Sequence, residues 1–129
     1  MSDTPADLKY TSSHEWVKLN EDGHFIVGIT DHAQEALGDI VFVELPDPDT
    51  DLEAGDSCIV VESVKAASDV YCPVAGKVIA INEALEDAAE LVNTSPYSDG
   101  WLMVIEPADA GSLEGLLDAE MYAAEIKEG

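Results

Sequence analysis

Lys65 has the setting of a modification site. It lies in Glu62-Ser63-Val64-Lys65-Ala66-Ala67-Ser68-Asp69, in a chain with five Lys+Arg and 28 Asp+Glu residues. All of those cations are lysines. A lone amine in a short turn, flanked by small side chains, is open to an enzyme that acylates it. A lysine serving only solubility or a surface ion pair needs no such setting.

The other reactive side chains form no catalytic pattern of their own. Cys58 and Cys72, with His14, His24 and His32, lack the spacing of a zinc site. Asp47, Asp49 and Asp51 resemble the start of a calcium loop. Leu52 then stands where that loop needs Gly, and Cys58 where it needs Glu. No glycine-rich phosphate loop is present. No catalytic activity of the chain alone is expected from these residues, and no metal is expected.

The elements that must hold Lys65 are legible. Ser57-Cys58-Ile59-Val60-Val61-Glu62 reads as a buried strand, and Asp69-Val70-Tyr71-Cys72 as the returning strand stopped by Pro73. An attachment hairpin over about 57–73 follows. Its connection, Val64 to Ala67, suits a type I turn, which needs no positive φ. A two-residue centre between Lys65 and Ala66 is preferred, because two-residue hairpins are commonest. It would put Cys58 and Cys72 on opposite faces, whereas a centre on Lys65 would put them opposite each other. Both cysteines are expected as free thiols.

Upstream, residues 16–29 read as a hairpin around Glu21-Asp22-Gly23. A short helix near 31–37 follows, capped by Thr30 or Asp31 and stopped by Gly38. Leu37-Gly38-Asp39-Ile40-Val41-Phe42-Val43 is echoed 38 residues later by Ala75-Gly76-Lys77-Val78-Ile79-Ala80-Ile81. At the same offset Gly55 matches Asn93, and both types tolerate left-handed backbone. The repeat suggests two facing antiparallel sheets with the Lys65 hairpin exposed at one end. A C-terminal helical segment at about 112–127 has Ser112 and Asp118 as caps. Its face of Leu113, Leu116, Leu117, Met121 and Ile126 would pack on the sheet.

A chain of 129 residues is expected to form a single domain with a real core. Its first residues are acidic and polar, unlike a signal or transit peptide, and no run is long enough to span a membrane. A bacterial, cytoplasmic protein is expected. The net charge of −23 argues against nucleic acid and anionic membranes. Two readings of that charge stay open: steering toward partners with basic docking faces, or solubility and adaptation to salt.

Val61-Glu62-Ser63-Val64-Lys65-Ala66 resembles the lipoyl-attachment motif of the glycine cleavage system H protein family. Tyr10-Thr11, His14-Glu15-Trp16-Val17, Gly28-Ile29-Thr30-Asp31-His32-Ala33-Gln34, Val43-Glu44-Leu45-Pro46, Pro73-Val74-Ala75-Gly76 and Asn93-Thr94-Ser95-Pro96-Tyr97 are similar to the family's other blocks, in family order. The loop 47–51 departs by lacking an expected glycine. Ala88-Ala89 stands where a proline often occurs.

The resemblance implies a mainly β, lipoyl/biotinyl-like flattened barrel-sandwich of two antiparallel sheets. It implies lipoate covalently attached to Lys65, with Glu62, Ala66 and Gly76 serving recognition of the attachment hairpin. Ser13, Glu15 and Asp69 would dock the loaded arm. The implied partners are a pyridoxal-phosphate glycine decarboxylase, a tetrahydrofolate-dependent aminomethyltransferase, a flavin-dependent dihydrolipoamide dehydrogenase and lipoyl-attaching enzymes. The carrier, expected as a monomer, would shuttle glycine's aminomethyl group between them. The alternatives are a lipoyl-relay donor or a lipoyl module for another complex. A biotin carrier usually has Met on both sides of the lysine, and here Val64 and Ala66 stand there.

Overall fold

The computed structural model describes residues 8–11, 14–108 and 116–128, the last three by backbone alone. Its strands are β1 (Lys9–Tyr10), β2 (Glu15–Leu19), β3 (Phe25–Ile29), β4 (Ile40–Glu44), β5 (Asp51–Leu52), β6 (Ser57–Ser63), β7 (Ala67–Tyr71), β8 (Gly76–Ile81) and β9 (Met103–Pro107). Its helices are α1 (Asp31–Leu37), α2 (Leu91–Thr94) and α3 (Ala119–Glu128), with a 3₁₀ turn at Glu83–Glu86. The strands form two antiparallel sheets, ordered β1-β2-β3-β9-β8-β5 and β4-β6-β7, which do not join into a closed barrel.

Alternation along the strands builds the core between the sheets. Ile59 and Val61 of β6, Ile40 and Val43 of β4 and Val70 of β7 join Val17, Val27, Val78 and Ile105 of the larger sheet in one buried cluster. A second cluster holds Leu8, Tyr10, Trp16 and Tyr122. Gly28 pairs with Trp16, and a Cβ at Gly28 would lie 2.6 Å from the indole. The glycine therefore lets the ring lie flat on the strand, where its Nε1 donates to the Pro96 carbonyl at 2.8 Å.

The hairpin of residues 16–29 forms as expected, with Gly23 at φ 81° in its turn. Of the two possible caps of α1, Thr30 does it, accepting from the Ala33 amide, and Gly38 ends the helix at φ 82°. Four expectations are corrected. Gly55 is left-handed at φ 91°, but Asn93 lies in α2, so the repeat does not extend to that pair. The hairpin turn is centred between Val64 and Lys65, because Glu62 pairs with Ala67. Cys58 sits at a bulge between Ser57 and Ile59, which re-aims its side chain. The two thiols are consequently not on opposite faces: they interact, and both are free. The neighbouring Cys72 thiol, then burial, pushes the Cys58 thiol up.

The fourth correction concerns the C-terminal face. Residues 112–115 lie outside the described residues, and Ser112 with Leu113 cannot be placed. Leu117 is not helical; it bridges to Tyr10. Helix phase restarts at Asp118, whose carboxylate caps the Met121 amide at 2.8 Å. A face traced across that break mixes two phases. Tyr122 is the buried residue of α3, while Met121 points outward. The side chain of Ile126 is not described. The loop that lacks a glycine holds Asp49 at φ 72°, so an aspartate takes a left-handed position that glycine would fill without strain.

Candidate functional site

Lys65 is exposed at the tip of the β6–β7 hairpin. The tip itself is tightly stapled. The Ser63 amide donates to the Ala66 carbonyl at 2.7 Å. The Ser63 hydroxyl donates to the same carbonyl at 3.0 Å and accepts from the Ala66 amide at 3.2 Å. Serine at the first position of a turn is suited to this, and the closure draws the turn toward Ser63. No residue of the turn has positive φ, as a type I turn requires.

The tip is also tied to the α1–β4 corner. The Val64 amide donates to the Asp39 carbonyl at 3.0 Å. A Cβ at Gly38 would lie 3.6 Å from Lys65 Cε, so the lysine stem passes over this glycine. Asn93 fixes the corner. Its Nδ2 donates to Gln34 Oε1 and to the Gly38 carbonyl, both at 2.9 Å, and its Oδ1 accepts from the Ile40 amide at 2.8 Å. Sequence reasoning missed both Ser63 and Asn93 as organisers. Serine at a hairpin turn carried a local signal; Asn93 carried none, because its partners are more than 50 residues away.

Beside the hairpin lies a cleft of about 140 Å³, walled by His14, Glu15, Ala33, Leu37, Asp69 and Val70 among others. It brings Glu15 and Asp69 together. Their environments differ: Glu15 is only 2% exposed, while Asp69 is exposed. The Glu15 carboxylate accepts from the Thr11 hydroxyl at 2.6 Å. Ser13 lies outside the described residues. Glu62 is exposed on β6 and Ala66 stands at the tip, next to Lys65. Gly76 is not in the hairpin. It lies in β8 of the other sheet, where a Cβ would overlap Ile105 and the Glu106 carbonyl, so packing accounts for the glycine.

The back of the cleft is built from a polar network. His14 has φ 72°, a left-handed conformation for a residue with a Cβ. Its carbonyl accepts from the Thr30 amide at 3.0 Å. Its Nδ1 and the Tyr122 hydroxyl are 2.7 Å apart, and the same hydroxyl is 2.7 Å from Thr30 Oγ1. The Tyr122 ring stacks on Tyr10 with centroids 4.7 Å apart. Burial pushes the Tyr122 phenol up to about 12. Burial, then the neighbouring His32, holds His14 below its ordinary value, against an opposing pull from Glu125. The network joins α3 to the cap of α1 and to His14, which lines the cleft. Among the described residues no group of three or more His, Cys, Asp or Glu gathers to hold a metal.

The site fits a long acyl arm on Lys65. Asp69 is four residues from Lys65, on the order of 13 Å along an extended strand. A lipoyl-lysine arm of about a dozen bonds reaches roughly 14 Å. The cleft therefore lies within the arm's length, with apolar walls for carbon and sulfur and carboxylates at its edge.

Comparison with known proteins agrees with this geometry. The family described as glycine cleavage H-protein matches residues 8–129. A glycine cleavage system H protein of Shewanella loihica is 59% identical over 128 residues, covering 99% of each chain. One from Enterobacter sp. is 58% identical over 124 residues, covering 96% of each. The crystal structure of a glycine cleavage system H protein from Mycobacterium marinum superposes with a TM-score of 0.88 at 40% identity, covering 95% of this chain and 98% of the other. With matches that span nearly its whole length, the chain belongs to the glycine cleavage H-protein family.

Proposed function

We propose that the chain is a carrier whose Lys65 bears lipoate in amide linkage, and that it works in glycine cleavage without catalysing a step alone. The observation that carries this reading is a stapled, exposed lysine with an acid-edged cleft within one arm's length. The bound dithiolane supplies a disulfide that accepts glycine's aminomethyl group on one sulfur while the other becomes a thiol. The partners in this reading are the pyridoxal-phosphate decarboxylase that loads the carrier, the tetrahydrofolate-dependent aminomethyltransferase that unloads it, and dihydrolipoamide dehydrogenase, which restores the disulfide.

This chain's own residues hold, orient and shield. The Ser63 staple holds Lys65 exposed at the hairpin tip, with its stem passing over Gly38. Ala33, Leu37 and Val70 exclude water from one side of the cleft. Glu15 and Asp69 offer carboxylates to an ammonium group, with Ser13 as the third residue we assign to docking. Glu62 and Ala66 flank the tip and serve its recognition by a lipoyl-attaching enzyme. The two clusters together draw on residues from Leu8 to Tyr122, which supports a single carrier domain, and we take it to work as a monomer. The two free thiols suit the cytoplasm of a bacterium.

Lys65→Ala tests the reading. The variant should fold, since an exposed turn side chain adds little stability. It should lose all glycine decarboxylation-exchange with the decarboxylase partner. Exchange retained in that variant would rule out Lys65 as the point of attachment.

A further inference from the structure

The outer face of the three-stranded sheet carries more apolar surface than a solvated face requires. Val41 and Phe42 are 58% and 45% exposed, and Val64 at the tip is 69% exposed. Strict alternation along β4 would have turned one of the first two inward. A bulge between Ile40 and Phe42 prevents that and sends both outward. Phe42 pairs with Glu62, and Glu62 pairs with Ala67, so Phe42 shares a cross-strand row with the base of the Lys65 turn. Exposed acids Asp39, Glu44, Glu62 and Asp69 surround the patch, and Lys65 is the one cation in these three strands and their turn.

We infer that Val41, Phe42 and Val64 form the docking surface for the enzyme that acylates Lys65, and that this enzyme offers an apolar seat rimmed by Lys or Arg. The inference rests on the lipoyl-carrier reading. Reach singles out the occupant. The unmodified lysine extends only about 6 Å from its backbone. An acylating enzyme must therefore press its active site against the tip. A stable interface covers about 800 Å² of each partner, far more than one turn, so the footprint spreads onto the adjoining strands. Enzymes that act on the finished arm meet it roughly 14 Å out and can leave this face uncovered. The acyl transfer itself is balanced by known components. The amine attacks the carbonyl of a lipoyl–adenylate mixed anhydride, the amide C–N bond forms, the C–O bond to phosphate breaks, and the original ammonium sheds two protons.

The test uses Phe42→Thr, Val41→Thr and Val64→Ser, each kept folded as judged by thermal unfolding. Lipoylation by a lipoate ligase with lipoate and ATP is followed by intact mass. Phe42→Thr should raise KM on the order of tenfold, the scale of losing an aromatic anchor from an interface. Its kcat should stay near the parent's. The other two should move KM the same way, and added salt should raise the parent's KM. With NADH as electron donor, dihydrolipoamide dehydrogenase should reduce fully lipoylated Phe42→Thr at the parent's rate. Unchanged KM in all three variants overturns the docking surface. Equal slowing of lipoylation and reduction overturns the assigned occupant. A parent chain that takes up no lipoyl group overturns the carrier reading, and the inference with it.

Discussion

Glu15 and Asp69 meet at one cleft but are not equivalent residues. Nothing in the sequence separates either from the other 26 of 28 acids; the resemblance alone singled them out. Burial is what the sequence could not show, since it follows from how β2, β7 and α1 converge. Glu15 is held beneath the surface by its hydrogen bond from Thr11, whereas Asp69 faces water. A charge-assisted hydrogen bond donated by an ammonium to the buried Glu15 carboxylate is worth on the order of 1.5–3 kcal/mol. Glu15→Gln should shorten the lifetime of the loaded carrier in buffer by about 10- to 150-fold, read as ammonia release, and Asp69→Asn by less. Lipoylation and reoxidation should change little in both. Equal release from the parent and both variants would show that these carboxylates do not protect the arm.

His14 adds a dependence on pH. Its folded pKa is depressed, chiefly by burial, so the unfolded chain binds the proton more readily. Its contribution to stability is present above the unfolded value near 6.5 and is lost as pH falls through the lower folded value. His14→Asn removes the titrating group and keeps a residue type that tolerates left-handed backbone. Denaturant unfolding at several pH values between about 7.5 and 5.5 should show the parent losing more stability than the variant as pH falls. Parallel curves would mean that His14 titrates alike in both states.

At the scale of elements, most strands and α1 were legible because their patterns are local. The β-branched apolar run of β6, the Thr30 cap and the Gly38 stop each sit within a few residues of what they control. Register was not legible. It depends on the Ser63 side chain and on bulges at Val41 and Cys58, which add a residue without disturbing composition. The phase of α3 was misread for a related reason: the bridge of Leu117 to Tyr10 interrupts the helix pattern from a distant part of the chain. Tyr122 then ties α3 to His14, which lines the cleft. Tyr122→Phe keeps the ring stack on Tyr10 and removes the hydroxyl shared by His14 and Thr30. Leaving those groups short of a partner should cost about 1–3 kcal/mol in urea unfolding. Amide exchange at Thr30 and Ala33 should quicken in the variant, because the cap of α1 loosens. Unchanged exchange there would show that the hydroxyl does not hold the cap.

At the scale of the whole molecule, the two sheets form a mount and, in the proposed reading, the chemistry is delegated to one side chain. Few counter-charges assist. Lys77 lies 3.9 Å from Asp49, and His24 lies 3.8 Å from Glu106, a pair that is ionic only with the imidazole protonated. Such exposed pairs stabilise little, so the fold depends on its apolar clusters. The proposed role of Lys65 follows from position: it is the lysine that stands at a stapled hairpin tip. Lys9, Lys18 and Lys77 lie in strands of the other sheet. The most direct test is intact mass with peptide mapping, after exposure to a lipoyl-attaching enzyme, lipoate and ATP. One lipoyl group should appear on the parent chain and map to Lys65, and none on Lys65→Arg. A parent left unmodified, or a lipoyl group on any other lysine, would contradict the account.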